Sequence, residues 1–575
     1  MEERIGCQEK AERRDLEAVY QKDIVTNMDM GIEIDASDRI SQLPDHILHH
    51  ILSYLPTRYG CRASFLSKTW YRVWKSFSIS DFHESMFGLR SINIDWMPPS
   101  IFQKREKNSF KFVQESLLRQ CPIRRFGLSL TLDNDDDEYF SRIEDLFTLA
   151  TQHGVLELDL NFEQKRKSIF DLDNDDFDIL PEVVFSAESL MVFKLRGYSN
   201  LSLESDVVTW PSLRVLSLSQ IYVDEDLIQN LIFGCPMIEK LVLLDCYGLT
   251  SIQLSGCRVL KEVTLSRTTS EGFERIDIDV PSLQTFCYSG SLENCHVDMT
   301  SCKNLEVLNL TSYNVEEDAC QDIIPQFPVL KVLILDCDRV KTIKILNRRL
   351  EMLQVSSYGG MEPTIINSNI QSFEYTTDSE MRVSVDGSSI KREVTLKVRT
   401  YRFHTKYFLQ LREFLENFQE IECLTLQIEP ASIRFDEPEI LKDISTPASS
   451  NVKHLKLQIP KSYSYHTLTR LELKALVNGL LWVCHPESLL LISHSGPNNE
   501  LIEVLCRKLP RRVKKNHWGT FSLSEFWRRP RDLKGIHIKH LELYVETEAV
   551  ECSALLRSPQ ILEPAGKKVR FVFKW

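Results

Sequence analysis

The sequence lacks the usual marks of a catalytic or metal-binding chain. Its 15 cysteines include no C-x-x-C pair, which argues against zinc ribbons and thioredoxin-like redox sites. There is no G-x-S-x-G, no Walker phosphate loop and no G-x-G-x-x-G, so nothing supports a hydrolase, a P-loop NTPase or a dinucleotide-binding enzyme. No apolar run approaches the ~20 residues of a membrane span, and no signal-like apolar segment follows Met1. Positive charge is in deficit as well. A net charge of −13 disfavours nucleic acid and anionic membranes as partners, since both are held by clustered Lys and Arg. These absences leave nothing on which to build an enzyme, a cofactor site or a metal site, and the scattered cysteines point to a reducing cytosol or nucleus, where they serve as small buried apolar groups.

What is present suffices for a large core. Apolar residues make up 43% of the 575 and charged residues 26%, ordinary values for a folded protein. The length implies several domains unless the chain is a repeat array, in which case the count loses meaning.

The most informative stretch starts at Asp38. Pro44 stands where a helix's first turn needs no amide donor, and Pro56 where the helix must stop. Between them Ile47, Leu48, Ile51, Leu52, Tyr54 and Leu55 form an apolar arc wider than one packing partner requires, leaving a second face for another protein. Leu66, Trp70, Val73, Trp74 and Phe77 then follow at helical spacing, so Leu66, Trp70 and Trp74 are expected in the core of the same cluster. A cluster this small rarely holds itself together alone. On pattern alone such a stripe is more often core than interface.

The ordered residues Leu43-Pro44-Asp45, Ile47-Leu48, Ile51-Leu52, Leu55-Pro56-Thr57, Arg62, Ser64, Leu66-Ser67-Lys68 and Trp70 resemble the F-box of plant F-box/leucine-rich-repeat proteins. The resemblance covers Asp38 to about Phe77. Tyr59-Gly60-Cys61 and His46 depart from the family pattern. It implies a three-helix F-box that docks a Skp-type adaptor, and through it a cullin ubiquitin ligase, by way of Leu43, Pro44, Ile47, Leu48, Ile51, Leu52, Leu55 and Pro56.

Further along, the template apolar-x-x-apolar-x-apolar begins at Ile123, Val155, Leu190, Leu213, Ile238, Leu260, Leu283, Leu305, Leu330, Leu350 and Ile370, and its last eight intervals lie between 20 and 25 residues. That is the period of leucine-rich repeats, in which each unit lays one strand on the inner wall of a solenoid and returns by a helix or irregular turn. Stacking buries what one unit cannot, with Leu216 and Leu218 meeting Leu241 and Leu243 of the next unit. Pro211, Pro236, Pro281 and Pro328 each stand two residues before a template start, where a proline can open a strand. Asp224 is placed to cap a helix carrying Leu227, Ile228, Leu231 and Ile232, and Gly234 to end it.

Residues flanking the apolar strand positions alternate onto the concave wall. They include Lys240, Val242, Leu244, Glu262, Thr264, Asn309, Thr311, Ile334 and Asp336, the candidate surface for a protein substrate. Beyond residue 380 the spacing breaks. The template recurs at Ile421, Val452 and Ile538 between longer helices, as a continued wall or an α/β cap. The family often carries an FBD domain in this position, though its motif is not matched here.

Three other constellations carry little. Asp171 to Glu182 has calcium-loop spacing but Asp176 where the turn needs glycine, and Pro181 breaks the exit helix. His46 and His50 form an i, i+4 pair with no third ligand nearby. The basic cluster from Arg507 to Arg531 reads as a solvated loop.

The expected fold class is thus α/β: a leader over 1–37, an F-box over 38–84, a leucine-rich-repeat solenoid with parallel strands over 85–380, and an irregular LRR-like or FBD-like region over 381–575. The resemblance implies the non-catalytic substrate-recognition subunit of a Skp-cullin-F-box ubiquitin ligase. The alternative is a leucine-rich-repeat scaffold or inhibitor that engages no cullin ligase.

Overall fold

The computed structural model describes residues within 39–83, 110–132, 137–164, 182–197, 210–312, 324–357, 362–398, 402–434, 452–459, 476–493 and 535–574, with short gaps inside these ranges. The chain divides into two compact units, Met1–Gly197 and Tyr198–Trp575.

The described part of the first unit opens on three short helices, α1 (Asp45–Ser53), α2 (Thr57–Ala63) and α3 (Lys68–Lys75). Leu48, Leu52, Ala63, Trp70, Val73 and Phe77 bury one another, and Ile51, Trp74 and Ile79 pack against them. Ser67 caps α3, its hydroxyl accepting from the Trp70 amide at 3.3 Å and meeting the Ser41 hydroxyl at 3.1 Å. The Leu-Ser-Lys-x-Trp motif is therefore a cap followed by a core residue. A Cβ at Gly60 would lie 2.6 Å from Trp74 Cζ3, so the missing side chain is what lets the indole lie against α2.

From the helices the chain runs straight into a sheet. Strand β1 (Ile79–His83) pairs in parallel with β2 (Arg125–Leu132), β2 with β3 (Glu157–Gln164), and β3 with β4 (Val192–Arg196). The 16-residue α4 (Asp137–Gln152) makes the crossover from β2 to β3. Helix α2 is fastened to β1 by the Asp81 amide, which donates to Thr57 Oγ1 at 3.0 Å.

The second unit is a wall of parallel strands: β5 (Val215–Ser219), β6 (Lys240–Leu244), β8 (Glu262–Arg267), β10 (Thr285–Gly290), β12 (Val307–Ser312), β13 (Val332–Cys337), β15 (Met352–Ser357), β17 (Ser372–Thr377), β19 (Glu393–Val398), β21 (Ile421–Ile428), β23 (Val452–Ile459) and β24 (Ser488–Ser493). Each pairs with the next in this order. The register is uniform, so inward residues form continuous columns. Leu216 sits opposite Leu241 and Leu218 opposite Leu243, and the first of these columns runs on to Leu455 and Leu489. Every template start from Ile123 to Ile370 is at most 2% exposed. At ~1.5 to 3 kcal/mol per buried aliphatic side chain, repetition rather than any single unit supplies the stability.

Helix α5 (Glu225–Phe233) follows β5. Asp224 Oδ1 accepts from the Leu227 amide at 2.7 Å, and the helix ends at Gly234 in a right-handed conformation, φ −71°. The prolines act differently from expectation. Leu213, Ile238, Leu283 and Leu330 each donate to the carbonyl three residues back, at Trp210, Cys235, Val280 and Phe327. Each proline is thus the second residue of a tight turn that ends before the strand begins, where its fixed φ is already correct.

The returns also differ. Where helices or irregular turns were expected, short strands form further parallel sheets: β7 (Ser251–Ser255), β9 (Arg275–Asp279) and β11 (His296–Asp298) in one, β14 (Thr342–Leu346), β16 (Glu362–Ile366) and β18 (Ser384–Asp386) in another, and β20 (Arg402–His404) with β22 (Ser432–Arg434). Their alternation, as in Ser251-Ile252-Gln253-Leu254-Ser255, buries Ile252 and Leu254. Beyond residue 380 the wall continues through β19 to β24, with α6 (Thr405–Glu416) among the bulkier connections. It then changes sense. Lys568–Lys574 pairs antiparallel with β24 and, on its other side, with β25 (Gly535–Glu542).

Candidate partner-binding surfaces

The three-helix cluster leaves a broad apolar surface uncovered. Ile40, Leu43, Ile47, Tyr54, Leu55, Tyr59, Phe65 and Leu66 are between 37% and 75% exposed. Eight such residues fall within 40–66, a concentration of exposed apolar side chains of the kind that marks an interaction site. Pro44 is exposed beside them, at the N-cap of α1.

Of the residues expected to face an adaptor, Leu43, Ile47 and Leu55 lie on this surface, and Ile51 is half-buried at its edge. Leu48 and Leu52 do not. They are one helical turn apart on the inner side of α1, 0% and 1% exposed, and belong to the cluster's core. Pro56 lies outside the described residues. Of the expected core residues, Trp70 is buried and Trp74 packs against the core. Leu66 is corrected to the surface, 67% exposed. It precedes the Ser67 cap, so its side chain is not on the α3 stripe that the spacing implied. Tyr54, a member of the expected apolar arc, is exposed here too, whereas Ile40, Tyr59 and Phe65 had not been singled out for this surface. Phe65 and Leu66 lie in the turn between α2 and α3, where helical periodicity gives no direction.

His49 serves the fold, while His46 and His50 are exposed. His49 Nε2 lies 3.1 Å from the Val73 carbonyl and 3.0 Å from Ser76 Oγ, tying α1 to α3. Among the described residues no group of three or more His, Cys, Asp or Glu side chains is placed to hold a metal, and no helix is long and apolar enough to cross a membrane. The acidic loop from Asp171 to Pro181 and the basic cluster from Arg507 to Arg531 lie outside the described residues.

The second surface is the outward side of the second unit's wall. Lys240, Val242, Leu244, Glu262, Thr264, Asn309, Thr311, Ile334 and Asp336 are all half-buried there, in registered rows. Lys240 Nζ meets Glu262 Oε2 at 2.7 Å across adjacent strands. Strand β10 also contributes Thr285, Cys287 and Ser289, which had not been included. The Cys287 thiol is pushed above its ordinary range by burial, opposed by hydrogen bonds from Thr264 and Asn309.

Comparison with known proteins places both surfaces in context. The F-box domain model matches residues 40–81, and the model described as FBD-associated F-box protein At5g56370, LRR repeats, matches residues 143–309. F-box/LRR-repeat protein At3g03360 of Arabidopsis thaliana is 28% identical over 333 residues, 57% of this chain and 63% of that protein. F-box/LRR-repeat protein 25 of the same plant is 29% identical over 265 residues, 45% of this chain and 89% of that protein. F-box/FBD/LRR-repeat protein At2g26030 is 22% identical over 470 residues, 71% and 96% of the two chains. The chain spans just under two thirds of the first of these curated relatives. An F-box match and an FBD-associated leucine-rich-repeat match thus stand in that order along the chain, which is similar in this arrangement to F-box/LRR-repeat proteins of Arabidopsis thaliana.

Proposed function

We propose that this protein is the substrate-recognition subunit of a Skp-cullin-F-box ubiquitin ligase, working in the cytosol or nucleus and performing no chemistry itself. The observation that carries the reading is the uncovered apolar surface around α1. A folded chain leaves Leu43, Ile47, Leu55, Phe65 and Leu66 in water at a cost that a docked partner removes. F-box domains generally bind Skp-type adaptors, and this surface is the part of the F-box still available to one. The wall of the second unit would hold the target. Catalysis would then be proximity, the bound target's lysines being kept at high effective concentration near a ubiquitin-charged enzyme.

Replacing Leu43 and Pro44 together by Ala tests this. Both are exposed, so stability should change by no more than about 0.5 kcal/mol. Co-purification with a Skp-type adaptor should be lost. Unchanged recovery of the adaptor would sink the reading and favour a scaffold that engages no cullin ligase.

A further inference from the structure

On the wall of the second unit, charge is concentrated at the rim and scarce on the face. The residues that immediately precede β5, β6, β8, β12 and β13 are Arg214, Glu239, Lys261, Glu306 and Lys331. They cross-link in sequence, Arg214 to Glu239 at 2.6 Å, Lys261 to Glu239 at 2.9 Å and Lys331 to Glu306 at 2.9 Å. On the outward face of these strands and β10 each strand offers three side chains, and Lys240, Glu262 and Asp336 alone are charged. Six are aliphatic, namely Val215, Val242, Leu244, Val307, Val332 and Ile334, all half-buried. Val307 lies directly opposite Val332, with Ile334 two residues on. The aliphatic side chains thus form two groups, one on β5 and β6 and one on β12 and β13, on either side of the polar strands β8 and β10, with the charged row along one edge.

The polar groups at the centre are engaged with one another. Thr264 and Asn309 bond the Cys287 thiol from neighbouring strands, and Thr311 Oγ1 reaches Asn309 Oδ1 at 3.3 Å. Lys240 is held by Glu262. Groups already paired cost little to cover, whereas a phosphate or an acidic side chain would need free cations. Lys240 is the one cation on this face, and its partner is a carboxylate.

We infer that the face of β5 to β13 takes an uncharged, unphosphorylated protein segment rich in Val, Leu, Ile or Phe, held by burial of its side chains. The inference rests on the receptor reading and names the kind of target. Six strands at ~4.8 Å spacing give a row of about 24 Å, the length of about seven extended residues.

The test uses the full chain co-purified with its adaptor and a displayed library of random peptides. Enriched peptides should be poor in charge and rich in aliphatic or aromatic residues. Their binding should vary little between low and high salt. It should fall about tenfold or more in Ile334→Asp and in Val242→Asp. A milder Ile334→Thr variant should fall less, and retained adaptor capture reports that each variant is folded. Acidic or phosphate-requiring peptides, no enrichment, or affinity indifferent to these substitutions would each overturn the inference. Failure of the wild-type chain to capture adaptor would count against the receptor reading alone, leaving the peptide result to stand on its own.

Discussion

Gly60 shows how one residue can set a local structure. Its missing Cβ is filled by the Trp74 indole, and a methyl there would sit 2.6 Å from Cζ3. Gly60→Ala should therefore cost about 1 to 3 kcal/mol through overpacking, despite the better helix propensity of Ala. A urea titration followed by tryptophan fluorescence reads this, and an unchanged midpoint would refute it. Gly60 had looked like a departure from the F-box pattern, because a sequence does not show which ring will lie on a glycine. Leu66 misled for a related reason, since the Ser67 cap restarts the helix just after it. The cysteines were more legible. Burial pushes the Cys235 and Cys246 thiols up to about 12, whereas unfolded thiols ionise near 8.5. Below about pH 8.5 both states keep the protons and the contribution is whole. Between about 8.5 and 12 the unfolded chain releases protons that the folded chain retains, so stability falls as pH rises. The urea midpoint should decline across that window, and less steeply in a Cys235→Ala, Cys246→Ala double variant. Parallel slopes for the two proteins would contradict this.

At the scale of elements, the turn ahead of each strand is the recurring device. Leu213 donates to the Trp210 carbonyl at 3.1 Å around Pro211, and Leu190 donates to the Ala187 carbonyl at 3.1 Å around Glu188. The same turn is thus made with and without proline. Glu188→Pro should stabilise the first unit by about 0.4 to 1 kcal/mol, because it removes freedom from the unfolded chain alone. Thermal unfolding checks it, and a lowered Tm would mean that the Ala187 backbone cannot precede a proline. The strand period was legible because each unit spends its largest aliphatic residues on the same buried positions, such as Leu213, Leu216 and Leu218. The second sheets were not, since runs as short as Arg275-Ile276-Asp277-Ile278-Asp279 carry too few alternations to separate a strand from a turn. Strand β19 escaped notice because Ile390 stands four residues before Val394, where the template has three. The exposed apolar surface around α1 was half-legible. Periodicity marked α1 as two-faced, but only packing shows that Leu48 and Leu52 face inward while Ile47 faces out.

At the scale of the whole chain, a wall of parallel strands has an edge that must be closed. Each strand's amides and carbonyls pair with its neighbours, so an end strand left open is a template for another copy. Here β24 meets Lys568–Lys574 in antiparallel register, Leu489 opposite Phe571 and Leu491 opposite Val569. A chain ending after Ser493 would lose that partner and leave the outer edge of β24 bare, with the buried column that ends at Leu489 open at its last member. Such a truncated protein should form higher-order species in size-exclusion chromatography with light scattering and should melt below the full chain. A truncated protein that stays monomeric and melts with the full chain would mean that the wall ends at β24 without needing its antiparallel closure.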